Sequence, residues 1–361
     1  MYNILVTSSN KFTPNGITNT ILNFYNNIDS NKFKIDFVLI NEPSDELIAL
    51  FHSKNSKFYV LSERITSPVR YMRKLYKICC NGDYDIIHAN GNSNSLGLEL
   101  FTSRLAGIKV RIAHSHSTKC KNNFINYIFK PFFNNYTHAF ACSNLAGNWL
   151  FKDNQYTIIN NAFTIKDFEF DKNKRLLYRE KFSISDKFVI GNVALFNEGK
   201  NHFFLLNIFK ELLSIKPNSI LILVGDGYLK NKIIIKAKEY KIYDKIIFLG
   251  LRDDVCEIIN CFDLFLFPSL YEGLGLVLIE AQINGLPVLC SDSVPECVKF
   301  TDNLDFLSLG LDAKYWANFL INKNLSRNIG GLSLAKEKGF EIKSETKRLE
   351  TLYIDFINGR R

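Results

Sequence analysis

Residues 264–292 read LFLFPSLYEGLGLVLIEAQINGLPVLCSD, and this stretch limits the fold more than any other part of the chain. It opens on four apolar residues, Leu264 to Phe267, stopped by Pro268. A short run that is apolar at every position suits a parallel strand buried on both faces. A polar, Gly-rich turn follows, Ser269 to Gly275. The pattern then predicts a helix over 276–283, closed by Gly285-Leu286-Pro287, and a second strand from Pro287 to Cys290. This is one β-loop-α-β unit. Strand-like and helix-like runs alternate from end to end of the chain, so the expected class is α/β with parallel sheets.

Two carboxylates stand in this unit. Glu272 lies in the loop at the carboxyl end of the first strand, and Glu280 about one and a half turns into the helix. In open α/β sheets that strand end, beside the helix N-terminus, is where ligands bind. The unpaired N–H groups of residues 273–276 and the helix dipole favour a phosphate there. A carboxylate accepts hydrogen bonds from sugar hydroxyls. A phosphate seat with a carboxylate on either side suits a nucleotide diphosphate carrying sugars at both ends.

Glu272 and Glu280, set in FPSLYEGLGLVLIEAQ, resemble the E-x7-E signature of retaining GT-B glycosyltransferases. The match is to family 4 in particular, the bacterial group that builds capsule, exopolysaccharide and lipopolysaccharide chains. The resemblance implies two Rossmann-like domains with parallel sheets facing across a cleft. Residues 1–162 are the expected acceptor-binding domain and 163–341 the nucleotide-sugar donor-binding domain. A C-terminal helix, 342–361, is expected to cross back to the first domain.

The resemblance also implies roles. Glu272 is expected to touch the donor sugar and Glu280 the ribose, with the backbone of Gly273, Leu274 and Gly275 at the diphosphate. Lys200, after the strand Phe188–Val193, is expected to neutralise the donor phosphates as a point charge. The family carries an Arg five residues before this Lys; here that position is Leu195, so one phosphate cation is missing. Arg252 is a basic neighbour able to compensate. Gly225 belongs to the Gly-Asp-Gly that the family shows after the strand Ile220–Val224. Gly16, in the first strand-to-helix loop, is expected to face the diphosphate. His114, read as just past a strand Lys109–Ala113, is expected beside the transferred sugar, with His116 adjacent to it. The implied reaction is retaining transfer from a nucleotide-sugar, a UDP-sugar by expectation, to a saccharide or lipid-diphosphate-linked saccharide. No metal and no cofactor are expected, the nucleotide-sugar being a substrate. Two other readings remain open: a non-catalytic sugar-nucleotide-binding subunit, favoured by Leu195, and a nucleotide-sugar epimerase.

Composition sets the remaining bounds. At 361 residues and 47% hydrophobic, the chain has material for two domains and is no disordered segment. No apolar run is long enough for a transmembrane helix, and MYNILVTSSNKFTPNG lacks the basic and apolar parts of a secretory signal, so a cytoplasmic protein is expected. The eight cysteines form no C-x-x-C, which fits small buried residues in a reduced cytosol. There is no G-x-G-x-x-G for a nicotinamide cofactor. The net charge of +9 suits an anionic nucleotide or an anionic membrane face, and no nucleic-acid-reading module is present.

Two segments point to the inner face of the membrane. In 63–80, Arg64, Arg70, Arg73, Lys74 and Lys77 interleave with Tyr71, Leu75 and Tyr76, reading as a basic amphipathic helix. In 121–136, aromatics stand beside Lys121 and Lys130, which suits a membrane interface or a lipid-linked acceptor. Asp83-Tyr84-Asp85 has the D-x-D form of metal-dependent GT-A enzymes, but it precedes its strand and reads as a turn.

Overall fold

The structure is a computed structural model that describes residues 1–13, 15–117, 123–152, 154–323 and 325–360. Pro14, Cys120 and Lys121 therefore lie outside the described residues. The chain forms two units, Met1–Phe163 together with Gly339–Arg361, and Thr164–Lys338.

The first unit alternates strands and helices. Its elements begin β1 (Tyr2–Ser8), α1 (Gly16–Asn27), β2 (Phe33–Leu39), α2 (Asp45–Ser53) and β3 (Phe58–Val60). They continue through α3 (Pro68–Asn81), β4 (Ile86–Gly91), α4 (Gly97–Leu105), β5 (Val110–Ser115) and α5 (Asn123–Phe133). The last are β6 (His138–Ala141), α6 (Asn144–Phe151) and β7 (Thr157–Ile158). The strands form one parallel sheet in the order β3-β2-β1-β4-β5-β6-β7. Alternate strand residues point to opposite faces. Ile4, Val6, Phe37, Ile86, Ile112 and Phe140 pack with Ile21, Phe24 and Tyr25 of α1. Leu5, Val38 and Ile87 pack on the other face with Tyr71 and Leu75 of α3 and Leu98 of α4.

The second unit opens with α7 (Lys172–Lys181), β8 (Phe188–Val193), α8 (His202–Ile215), β9 (Ser219–Val224) and α9 (Lys230–Glu239). Then come β10 (Ile246–Gly250), α10 (Val255–Ile258), β11 (Leu264–Phe267), α11 (Leu276–Ile283) and β12 (Val288–Ser291). It closes with β13 (Leu304–Leu307), α12 (Ala313–Asn322) and α13 (Gly331–Glu337). Its sheet is parallel in the order β10-β9-β8-β11-β12-β13. All four residues of β11 are buried, as a central strand covered on both faces requires. Both sheets have the doubly wound order, with the strand sequence reversing at β1 and at β8.

The final helix, α14 (Ile342–Ile357), belongs to the first unit. Its entry is fixed by Phe163 N–H to Phe340 O and Ile342 N–H to Phe163 O, both 3.1 Å. Leu349 and Tyr353 then enter the core beneath β1, β2 and β4.

The basic segment differs from its expected form. The helix starts at Pro68, and Ser62–Arg64 is a separate 3-10 turn. Arg64 is only 5% exposed, with its guanidinium on Glu99 at 2.7 and 3.1 Å and on Ser95 O at 3.0 Å. Tyr71 donates to the same Glu99 at 2.6 Å. A planar guanidinium matches a buried carboxylate in this way, so Arg64 and Tyr71 belong to the interior and not to a basic face. Lys74 pairs with Glu63, and Arg70 lies 3.5 Å from it. In α5, Phe133 is buried and Phe129 packs against the α3–α4 core, while Tyr127, Ile128 and Phe132 are exposed.

In the D-x-D triplet, Asp85 accepts from Asn3 N–H at 2.8 Å and the Tyr84 hydroxyl donates to Asp36 at 2.7 Å. Its members are joined to the sheet's amino edge. No disulfide joins the described cysteines, of which Cys79, Cys142, Cys261 and Cys290 are buried. No helix among the described residues is long and apolar enough to cross a membrane.

Candidate donor site in the second unit

Parallel strands end on one edge, so the loops after β8, β9, β10 and β11 gather at the carboxyl side of the second sheet. Backbone bonds join them. Leu270 N–H donates to Gly199 O and Gly225 N–H to Gly250 O, each at 2.8 Å. Gly225 must be glycine: its φ is +132°, and an added Cβ would lie 2.0 Å from Ala194 O.

Lys200 and Glu272 meet here. Lys200 Nζ lies 2.5 Å from Glu272 Oε1, and the Ser269 hydroxyl is 2.6 Å from the same oxygen. Ser269 also reaches Gly199 O at 2.8 Å, fastening the loop after β11 to the turn that carries Lys200. The Glu272 side chain is 8% exposed and that of Lys200 22%. Ser269 has no sequence signal of its own; its place depends on two loops 70 residues apart.

The helix N-terminus beside this pair is open. Gly275 caps α11 with φ +83° and ψ 56°, and no side chain caps the helix. Among the described residues, the backbone N–H groups of Gly273, Leu274, Gly275 and Leu276 donate to no protein acceptor. Aligned free N–H groups at a helix start form an anion seat. Lys200 and Glu272 stand at that seat.

Glu280 lies further along α11, and its carboxyl has no hydrogen-bond or ion-pair partner among the described residues. It keeps part of its surface, yet protein surrounds the carboxyl closely, and burial pushes its pKa up to about 7. A half-buried carboxylate without a donor is ready to accept hydrogen bonds from a ligand.

Arg252 is placed differently from its expected use. Its guanidinium is bound to Asp254 at 2.7 and 2.5 Å, and Tyr178 adds a hydrogen bond to Asp254 at 2.7 Å. Arg252, above all, holds Asp254 down to about pKa 2. Two of the guanidinium nitrogens are thus engaged by Asp254. Leu195 itself is 51% exposed on the loop after β8. Lys230 is likewise engaged, 2.7 Å from Asp226.

Gly16 and His114 belong to the first unit. Gly16 begins α1, where a Cβ would meet nothing within 4 Å. Asn15 already accepts from Ile17 and Thr18 N–H, at 3.0 and 3.1 Å, so this helix start is capped by protein. His114 lies inside β5, paired with Asn90 of β4, and not past the strand end as expected. It is 2% exposed, between His88 (Nδ1 to Nε2 3.0 Å) and His116 (ring centroids 4.0 Å apart).

Two Rossmann-like units, the second bearing an anion seat at its ligand edge, make the GT-B fold. A crystal structure of Anabaena Alr3699/HepE in complex with UDP matches over 98% of this chain and 99% of that one, with a TM-score of 0.78 at 17% identity. The model for glycosyl transferases group 1 matches residues 174–305, which include Leu195, Lys200, Gly225, Arg252, Glu272 and Glu280. EpsF of Bacillus subtilis (strain 168), named as a glycosyltransferase, is 32% identical over 303 residues, 78% of this chain and 77% of EpsF. An Escherichia coli protein named UDP-Gal:alpha-D-GlcNAc-diphosphoundecaprenol alpha-1,3-galactosyltransferase is 25% identical, with 81% of each chain covered. The chain belongs to the group 1 glycosyltransferases, and its signature fits family 4 of the GT-B class.

Proposed function

We propose that this glycosyltransferase moves a sugar, with retention and without a metal, from a UDP-sugar to a lipid-diphosphate-linked saccharide in cell-surface polysaccharide synthesis. The observation that carries the reading is the Lys200–Glu272 pair beside the open N-terminus of α11. The similarity to a UDP-bound structure and to a galactosyltransferase named for a diphosphoundecaprenol acceptor supports the choice of donor and acceptor.

In this reading the diphosphate sits on the N–H groups of residues 273–276, and Lys200 turns from Glu272 toward it. Glu272, released from Lys200 but still within reach of Ser269, orients the donor sugar, and Glu280 receives the ribose hydroxyls. The sugar–phosphate bond breaks as the bond to the acceptor oxygen forms, and the acceptor's hydroxyl proton passes to the leaving diphosphate. The charge developing on the leaving diphosphate is met by Lys200 and the helix dipole, groups already oriented before reaction. His114 stands beside the reacting sugar.

The test is transfer from common UDP-sugars to undecaprenyl-diphosphate-linked saccharides in EDTA. The expected result is a retained-configuration product with turnover unaffected by the chelator. The exposed, uncharged Leu195 favours a second reading, a subunit that binds donor without transfer. That reading gains if UDP binds while no acceptor yields product.

We place the protein at the inner face of the membrane. Arg73, Lys77 and Tyr76 of α3 and Tyr127, Ile128 and Phe132 of α5 are exposed, and Lys130 stands on α5 among them. Basic and aromatic side chains together suit an anionic lipid surface. Co-sedimentation should be several-fold greater with vesicles containing anionic lipid than with neutral ones. Equal binding to both would remove the attachment.

A further inference from the structure

His88, His114 and Tyr353 form a continuous buried line in the first unit. His88 stands in β4, His114 on the neighbouring β5, and Tyr353 on α14. The Tyr353 hydroxyl lies 2.7 Å from His88 Nδ1, and His88 Nε2 lies 3.0 Å from His114 Nδ1. Each of the three residues is at most 5% exposed. At the far end, His114 Nε2 is buried with no partner. The three side chains, with Asn90 and His116, line a cavity of about 30 Å³. That is room for an oxygen atom the size of a water.

We propose that Tyr353, acting through His88, is a positioning residue that fixes His114 as its Nε2–H tautomer and so makes it a hydrogen-bond donor toward a substrate oxygen. The proposal rests on His114 lying beside the reacting sugar.

The protons along the line allow two arrangements. In one, the Tyr353 O–H donates to His88 Nδ1, His88 Nε2–H donates to His114 Nδ1, and His114 carries its proton on Nε2. Only that last donor lacks a partner. In the other, every bond runs backwards. Tyr353 then accepts, its own buried O–H donates to nothing, and His114 Nε2 becomes an unpaired acceptor as well. The Tyr353 hydroxyl has no other hydrogen bond among the described residues. An unmet buried donor is costly, and the first arrangement leaves one unmet group where the second leaves two.

The surroundings keep the rings neutral, so the tautomer is the only variable near pH 7. Burial lowers His88 to about pKa 3 and His116 to about 4, and burial with both neighbouring histidines holds His114 well below its ordinary value. His116 is fixed separately. Asn90 Nδ2 faces Thr7 O and His88 O, so Asn90 Oδ1 accepts from His116 Nε2 at 2.9 Å. The hydrogen-bond line therefore reaches His114 from Tyr353 alone.

The test is long-range proton–nitrogen correlation NMR on the full-length protein labelled with nitrogen-15 histidine. His88→Gln and His114→Gln assign the signals. In the wild type both rings should show a single Nε2–H form. In Tyr353→Phe, which keeps the ring, His114 should become a mixture of tautomers. Its kcat should fall about fivefold, the worth of one neutral hydrogen bond, with donor KM within about twofold. An Nδ1–H form at either ring in the wild type overturns the proposal, and this holds whether or not the variant folds. An unchanged His114 tautomer in Tyr353→Phe overturns it too. Wild-type turnover in His114→Ala would instead overturn the placement of His114 at the sugar, while the NMR result still decides the relay.

Discussion

Lys200→Met should lower kcat/KM about a hundredfold to a thousandfold, the cost of removing one preorganised group from a developing charge. The expectation follows from where the positive charge is found. Arg252 is held by Asp254 and Lys230 by Asp226, and Leu195 brings none. Lys200 is itself paired with Glu272, but it stands beside the open N-terminus of α11, which is why the role falls to it. The variant should also melt lower, because it strips the ion pair from a Glu272 side chain that is 8% exposed. Ser269 remains within reach of that carboxylate, so the loss should be about 1–3 kcal/mol and not a collapse of the unit. Lys200→Arg should recover only part of the activity, since a forked guanidinium does not replace a compact ammonium at one oxygen. Steady-state kinetics beside thermal melts check both parts. Turnover of Lys200→Met within about threefold of wild type would take Lys200 out of the site.

Glu280→Gln should remove a proton release that accompanies UDP binding. In the resting protein, burial lifts the Glu280 carboxyl to about pKa 7. Ribose hydroxyls donating to it would favour the carboxylate and lower that pKa. At pH 7 the wild type should then release about half a proton per UDP bound. Calorimetry in two buffers of different ionisation enthalpy reads this directly, and the variant should show none and bind more weakly. The sign for stability is opposite to that of an ordinary paired carboxylate. A raised folded pKa gives a contribution present below the unfolded value near 4.5 and lost as pH rises through about 7. Glu280→Gln should therefore gain on the ligand-free wild type as pH rises from 5 to 8, by on the order of 2 kcal/mol. A melting difference that stays flat over that range would contradict the buried carboxyl.

Much of this was legible where the signal is local. The apolar run Phe188–Val193 and the periodic run 342–357 correspond to β8 and α14. The stretch around Glu272 shows its strand, open turn and helix, because a doubly buried strand and a glycine-started helix both leave plain sequence marks. Polar strand ends do not. His114-Ser115-His116 reads as a loop, yet pairing of Asn90 with His114 and Gly91 with Ser115 carries β5 to Ser115. The helix α2 buries only Phe51, too little for a clear periodic face. Partners far apart in sequence were invisible. Nothing near Arg64 announces Glu99, and nothing near His88 announces Tyr353, 265 residues away. Such pairs exist only once the sheet has placed their elements side by side.

The most direct test of the donor site is calorimetric titration of the metal-free protein with UDP, repeated on Lys200→Met. The account predicts saturable binding in EDTA, weakened at least tenfold in the variant. No binding of UDP, or equal affinity in both proteins, would contradict a diphosphate seat built from Lys200 and the N-terminus of α11.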